Sequence, residues 1–371
     1  MATGFDTDVV VIGAGIFGLS VAWSCVQRGM SVTIVEKATI GAGASGGVVG
    51  ALSPNVPENW SPKKQFQLDA LLTAQAHWAE VDATSGLPSG YGRLGRIIPI
   101  INARGLEHAQ IRTEDAKSLW DGEAFWRVED SDKFSGWIAP EAAPFGVIHE
   151  NLSARINPRL ACLSLAKALQ VKGCEIREGW EMTAINDNEI IGPSGKIRAS
   201  AIVMAAGVAC FPYLETLWGR NAGMGVKGQS AVLGGVNAAN VPMIFGDHTY
   251  IIPHANGDIA VGSTSENTYD DPFSVDEKLD IVIERATTIC PALRHAKIKH
   301  TWANIRPRAR KPDPMLGPIK GPVGLYMATG GFKIGFGIAH KCGETLATMI
   351  AGETTFLPKQ FHASFAEANK K

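Results

Sequence analysis

The chain carries little that would tie it to a metal, a membrane or a nucleic acid. Its six cysteines (Cys25, Cys162, Cys174, Cys210, Cys290, Cys342) stand singly, without CxxC spacing or a neighbouring histidine cluster. That excludes the usual zinc and dithiol motifs and reads as reduced, buried thiols of a cytoplasmic protein. No apolar run approaches the roughly 18 residues a membrane span needs. The opening MATGFDTDVVVIG has no basic segment ahead of an apolar core, so no secretory signal is expected. Lys+Arg number 35 against 36 Asp+Glu, a formal charge of −1, which argues against a protein built to coat nucleic acid. Repeats and low-complexity linkers are lacking too. What remains is 371 residues, 45% hydrophobic and 19% charged, enough for a large core and more than one domain.

Asp8 to Gly13 is a short apolar run rich in β-branched residues, which predicts a buried parallel strand. Apolar positions at helical spacing (Phe17, Val21, Cys25) follow and stop at Gly29, a C-cap. Residues 31–36, SVTIVE, predict a second strand. Between strand and helix stands Gly13-Ala14-Gly15-Ile16-Phe17-Gly18, a GxGxxG in the context a dinucleotide requires. Gly13 permits the tight turn, Gly15 lets backbone approach a pyrophosphate, and Gly18 lets helix and strand close up. The helix N-terminus offers free N–H groups to the phosphates. Glu36 ends the second strand, 18 residues after Gly18, where a carboxylate can accept hydrogen bonds from ribose hydroxyls. The unit predicts dinucleotide binding without choosing between a nicotinamide and a flavin.

Helices are expected over about 62–84, 157–173, 275–290 and 338–351, and AIVMAAG (201–207) and LYMATGG (325–331) read as buried strands ending in glycine. Residues 86–154, rich in Gly, Pro and Trp, read as short strand-like pieces such as RIIPII (96–101). Residues 225–265 read as antiparallel strands, with Asn256-Gly257 turning a hairpin. The expected fold class is α/β. A Rossmann-like domain from 1–85, 155–220 and 312–371 is interleaved with a mainly antiparallel β-sheet substrate domain from 86–154 and 221–311.

Several segments, taken in order, carry a resemblance: VVVIGAGIFGLSVAW, ASGG (44–47), INPRLACLSLAKAL, AIVMAAG, VKGQSAVL, YIIPHANGDIAVGSTSEN, WANIRP and LYMATGGFKIGFGIAHKCGE. Together they resemble the glycine oxidase / D-amino-acid oxidase family of FAD-dependent amine oxidases, and its glycine oxidase–sarcosine oxidase branch most. The resemblance implies FAD. It places Lys37 beside Glu36 near the adenosine ribose, and Ser45, Gly46 and Gly47 against the pyrophosphate or flavin. Met182 falls where main-chain groups hold adenine, and Ala205, Ala206 and Gly207 form a strand-end turn against the cofactor. Gly331, Phe332, Lys333, Ile334, Gly335 and Phe336 would present backbone N–H groups to the flavin pyrimidine, where donors stabilise charge on the reduced ring. Each position also has a reading as ordinary turn or core packing. Some members attach flavin through a cysteine before the last strand. MLGPIKGPVGLYMATGG contains none, so noncovalent FAD is expected.

Oxidising an amine with a flavin demands orientation in a dry pocket more than acid–base machinery. For an amino acid the handle is the carboxylate, and its natural clamp is an arginine making two parallel hydrogen bonds. The resemblance assigns that clamp to Arg306 in WANIRP and a pocket hydroxyl that joins it to Tyr250 in HTYIIP. An interdomain salt bridge and half-buried core are the respective alternatives. His248 reads as entrance lining or as surface, and 55–66, with Trp60, as a lid or a surface loop. Residues 294–311 hold seven Lys/Arg and no Asp/Glu, with Arg306, Arg308 and Arg310 alternating onto one face. That strip reads as a solvated surface, as a site for a larger anionic N-carboxyalkyl or dicarboxylic amine, or as an RNA contact. The last follows because related FAD domains act on modified wobble uridines of tRNA and GALSP (50–54) is reminiscent of them. The expected function is oxidative deamination of a small amino acid or secondary amine (glycine, sarcosine or D-amino-acid type) by hydride transfer to flavin N5. The imine then hydrolyses, and O₂ or another acceptor takes the electrons. A dehydrogenase subunit passing electrons to a partner, and a flavin-binding scaffold without turnover, are the other readings.

Overall fold

The computed structural model describes residues 4–368. β1 (Thr7–Ile12), helix α1 (Ile16–Gln27) and β2 (Val32–Val35) open the fold as the expected βαβ unit. The short β3 (Ala51–Leu52) and the long α2 (Pro62–Ser85) lead to β4 (Arg96–Pro99), α3 (Ala103–Leu119), β5 (Trp126–Glu129) and β6 (Val147–Glu150). β7 (Ala154–Arg155) pairs back onto β3; α4 (Pro158–Val171), β8 (Glu175–Arg177), β9 (Ala184–Asn186), β10 (Glu189–Gly192), β11 (Gly195–Met204) and α5 (Cys210–Trp218) follow. β12 (Gly223–Gly234), β13 (Met243–Gly246), β14 (Thr249–Pro253) and β15 (Ile259–Gly262) form an antiparallel run, followed by α6 (Glu277–Ile289) and the long β16 (Lys297–Ala309). β17 (Met315–Pro318), β18 (Leu325–Thr329), α7 (Gly335–Ile350) and α8 (Ala363–Ala368) complete the chain.

Two sheets result. The first runs β17-β18-β11-β1-β2-β8, with β1, β2, β8, β11 and β18 mutually parallel. Val9, Val11, Ile34 and Val203 are fully buried, as β-branched strands covered on both faces must be. Helices α1 and α7 pack together, and Gly343 lets them approach: a Cβ there would lie 2.3 Å from the Ser20 carbonyl oxygen. The parallel strands end together at Ile12, Met204 and Thr329, and each leads into a glycine turn. In sheets of this kind the ligand sits at the carboxyl ends of the strands.

The second sheet runs β16-β12-β15-β14-β13-β4-β6-β5, antiparallel except where β4 joins β13. Its back is covered by α6, which buries Leu279, Val282, Ala286 and Ile289. Its front carries Met243, Ile252, Ala260, Tyr250 and Trp302, packed on Val48, Val49 and Ala51 of the segment that follows the ASGG stretch. Asn256-Gly257 turns the β14–β15 hairpin, with Gly257 at φ +85°. One element departs from expectation. Residues 103–119, read as part of an irregular strand-like region, form α3, a helix that buries only Ala109 and Ala116. Alanines leave no stripe of large apolar residues at helical spacing, so periodicity cannot show it.

Candidate active site

The glycine turns build a cradle. Gly13 adopts φ +110°, and a Cβ there would lie 2.6 Å from the Ala205 carbonyl oxygen, so the first turn and the turn at 205–207 touch backbone to backbone. A Cβ at Gly18 would meet the Gly13 oxygen at 2.0 Å, which leaves no residue but glycine for that helix–strand contact. Gly331 lies against the Phe17 ring, and the Thr329 hydroxyl donates to the Gly207 carbonyl at 2.8 Å. Phe332 adopts φ +40° in the last turn, Ile334 donates to Gly331, and Gly335 opens α7. The N-cap of α1, Gly15, has no side chain to offer the first turn.

The rim residues follow the same logic. The Glu36 carboxylate accepts from the Ala14 and Ala38 N–H groups, both at 2.9 Å, which fixes it at the lip of the glycine turn with exposed Lys37 beside it. Ser45 Oγ accepts from the Ile16 N–H at 3.0 Å and so ties the Ser45–Gly47 segment to the start of α1. The Gly179 and Trp180 N–H groups donate to the Ala38 and Glu36 carbonyls, which brings half-buried Met182 to the same edge. Glycines crowding a helix N-terminus, with a carboxylate at the lip, fit the pyrophosphate and ribose of a dinucleotide.

Arg306 lies on the front face of the second sheet and is 8% exposed. Its side chain crosses β12 above Gly228, where a Cβ would stand 1.5 Å from Nη2. Nη2 donates to Ser263 Oγ at 2.8 Å and to the Thr264 carbonyl at 3.2 Å. Nη1 is buried with no partner. Burial pushes the guanidinium pKa down to about 10, against a smaller opposing pull from Glu266. Glu266 itself is taken by Lys278, Thr264 and Gln229. A buried cation that has no ion-paired acid and one edge unsatisfied has the chemistry to accept an anion. Gly228, Ser263 and Thr264 were not singled out in the sequence. The usable signal is a glycine inside a strand, which marks a close approach.

Other candidates separate. Tyr250 is half-buried on the same face, but its hydroxyl accepts from Arg96 Nη1 at 3.2 Å, not from Arg306. Arg96 is in turn paired with the fully buried Glu150 at 3.1 Å. His248 is exposed; with Asp247 it forms the β13–β14 turn, both at positive φ, and takes no part in the site. The basic strip divides. Arg306 and Arg308 share a strand face, Arg310 lies exposed beyond the end of β16, and Lys299 is paired with Asp258 at 2.6 Å. Segment 55–66 is fastened by ion pairs of Glu58 with Arg112 and of Lys63 with Asp313, both at 2.8 Å. The six thiols are all buried and free.

The family of FAD dependent oxidoreductases designated DAO matches residues 8–349. The chain belongs to this family. Glycine oxidase of Pseudomonas aeruginosa is 27% identical over 361 residues, spanning 93% of this chain and 94% of the relative. Glycine oxidase of Bacillus subtilis is 24% identical over 354 residues, 92% of each chain. The crystal structure of iminodiacetate oxidase from Chelativorans sp. shares the fold with a TM-score of 0.84, at 23% identity, covering 95% of this chain and 98% of that one. The protein is thus an FAD-dependent oxidoreductase. Among the described residues no helix is long and apolar enough to cross a membrane.

Proposed function

We propose that this oxidoreductase removes a hydride from the carbon beside the nitrogen of an amino acid or N-alkyl amino acid. The observation that carries the reading is the buried, acid-free Arg306 with its unpaired Nη1. A substrate carboxylate held there would present two oxygens to one guanidinium edge, which fixes the α-carbon relative to the cradle. Bound FAD supplies the acceptor for the hydride. The chain's own part is orientation and exclusion of water: Val48, Val49, Trp302 and Tyr250 wall the front face, and Ser263 and Thr264 keep the guanidinium pointed. The Tyr250 hydroxyl, held by Arg96, keeps its own proton to donate to a substrate oxygen. No cysteine lies in 313–331, and the buried thiols Cys25, Cys162, Cys174, Cys210 and Cys290 are pushed up to about 12 by desolvation, which supports noncovalent FAD. Relatives named for glycine and iminodiacetate oxidation support the substrate class.

The test is an anaerobic screen of the purified yellow protein against glycine, sarcosine, D-amino acids and N-carboxymethyl amino acids. Bleaching of the flavin by one class names the substrate, and bleaching by none of them refutes the reading. Readmission of air then separates rapid recolouring with peroxide, an oxidase, from slow recolouring, a dehydrogenase that serves another acceptor.

A further inference from the structure

Arg306 is accompanied by two more cations. Arg308 follows it on the same face of β16, since alternate residues of a strand share a face. Its guanidinium donates to Met224 Sδ at 2.9 Å and stands 5.8 Å from the centre of the Phe332 ring. Lys333 Nζ stands 5.6 Å from the same ring. The Phe332 N–H donates to the Pro307 carbonyl at 3.2 Å, which fastens the last glycine turn to β16 between the two arginines. Among the described residues none of the three is paired with a carboxylate, whereas Lys63, Lys278 and Lys299 each have one. Lys333 is exposed at the rim, yet packing around its stem and the nearby Arg306 and Arg308 lower its pKa.

Three cations gathered without an acid repel one another, and a single substrate carboxylate answers only one of them. We propose that Arg308 and Lys333 form a second anion subsite beside the Arg306 clamp, so that the substrate is an amine bearing two carboxylates, a dicarboxylic or N-carboxyalkyl amino acid. The inference rests on Arg306 being a carboxylate clamp. Arg306 leans over Gly228 while Arg308 reaches Met224, four residues apart on β12, so the two heads lie within roughly 13 Å of each other at about 3.3 Å per residue.

The experiment titrates the holoenzyme with the straight-chain monoacids from propionate to hexanoate and with the diacids from malonate to adipate, following the flavin absorbance. At least one diacid is expected to bind ten-fold or more tightly than the monoacid of equal length. Arg308→Met should collapse that ratio toward one, and Arg308→Lys should restore part of it. A wild-type protein indifferent to the second carboxylate, or a preference that survives Arg308→Met, overturns the proposal. So does an Arg308→Met protein that loses FAD, since the cations would then serve the cofactor. Failure of the clamp itself looks different: monoacids would bind Arg306→Met as they bind the wild type.

Discussion

Replacing Arg306 with methionine should make the protein more stable and less able to bind carboxylates. Burial lowers the guanidinium pKa from 12.5 to about 10, a shift worth about 3 kcal/mol. Because the folded-state value lies below the unfolded one, the cation disfavours folding at every pH below about 10, and the full cost is present at neutrality. Methionine has a similar length and no charge. It forfeits the hydrogen bonds to Ser263 and Thr264, at about 1 kcal/mol each. The balance is a gain of about 1–2 kcal/mol. For a chain of 371 residues this raises Tm by about 1–3 °C. The loss on the binding side is a charge-assisted, two-point contact of about 3 kcal/mol, or roughly 100-fold in Kd. Calorimetry and flavin titration on one preparation read both effects. Saturating acetate should raise Tm of the wild type and leave Arg306→Met unmoved. A variant that melts several degrees lower while binding acetate normally would show the guanidinium to be a structural cation, and the site assignment would fall with it.

Gly228→Ala places a Cβ 1.5 Å from Arg306 Nη2 and must displace the guanidinium; carboxylate affinity should drop ten-fold or more while FAD stays bound. Retained affinity would mean that the clamp approaches from elsewhere. A Cβ at Gly15 meets only Ser45 Oγ at 3.2 Å, so Gly15→Val should fold, with its side chain in the approach of the pyrophosphate. It should purify colourless with native circular dichroism, and a fully yellow product would contradict the cradle. His77 and His340 stack at 4.9 Å between α2 and α7, with desolvation holding their pKa values near 3 and 4 against a usual 6.5. Both are neutral in the fold, so the unfolded chain binds more protons below pH 6.5. Stability should therefore fall as pH drops from 6.5 toward 4, by up to about 2.7 kcal/mol per unit for the pair. Urea melts across that range, repeated on His340→Phe, should show about half the slope; an unchanged slope would place the acid sensitivity elsewhere.

The parts of the fold that could be foreseen are those whose chemistry is local. GxGxxG between a strand and a helix, Glu36 at the next strand end and the glycines closing β11 and β18 each act through neighbours in sequence. Helix α3 escaped because its buried side chains are alanines; the quieter sign was Asn102, whose side chain accepts the Gly105 N–H at 2.8 Å as an N-cap. The β13–β14 turn hid for a related reason, since Asp247 and His248 occupy left-handed positions usually given to Asn-Gly. The partners of the site residues could not be read along the chain. That Tyr250 answers to Arg96, that Arg306 lacks an acid, and that Arg308 and Lys333 share the Phe332 ring are facts of sheet register and of a turn closing across it.

The order of strands also sets a schedule for synthesis. β1 stands between β2 and β11, and β11 pairs with β18, so the cradle at their ends needs residues from both extremes of the chain. A ribosome that has made the GxGxxG turn has still to extrude the whole second sheet before the 331–336 turn can close on Phe17. The cradle is therefore complete only in a nearly finished polypeptide. Pairings this distant in sequence form slowly and leave apolar edges exposed in the meantime. Added FAD should then raise the yield of folded protein, because whatever binds only the finished fold draws the last step forward.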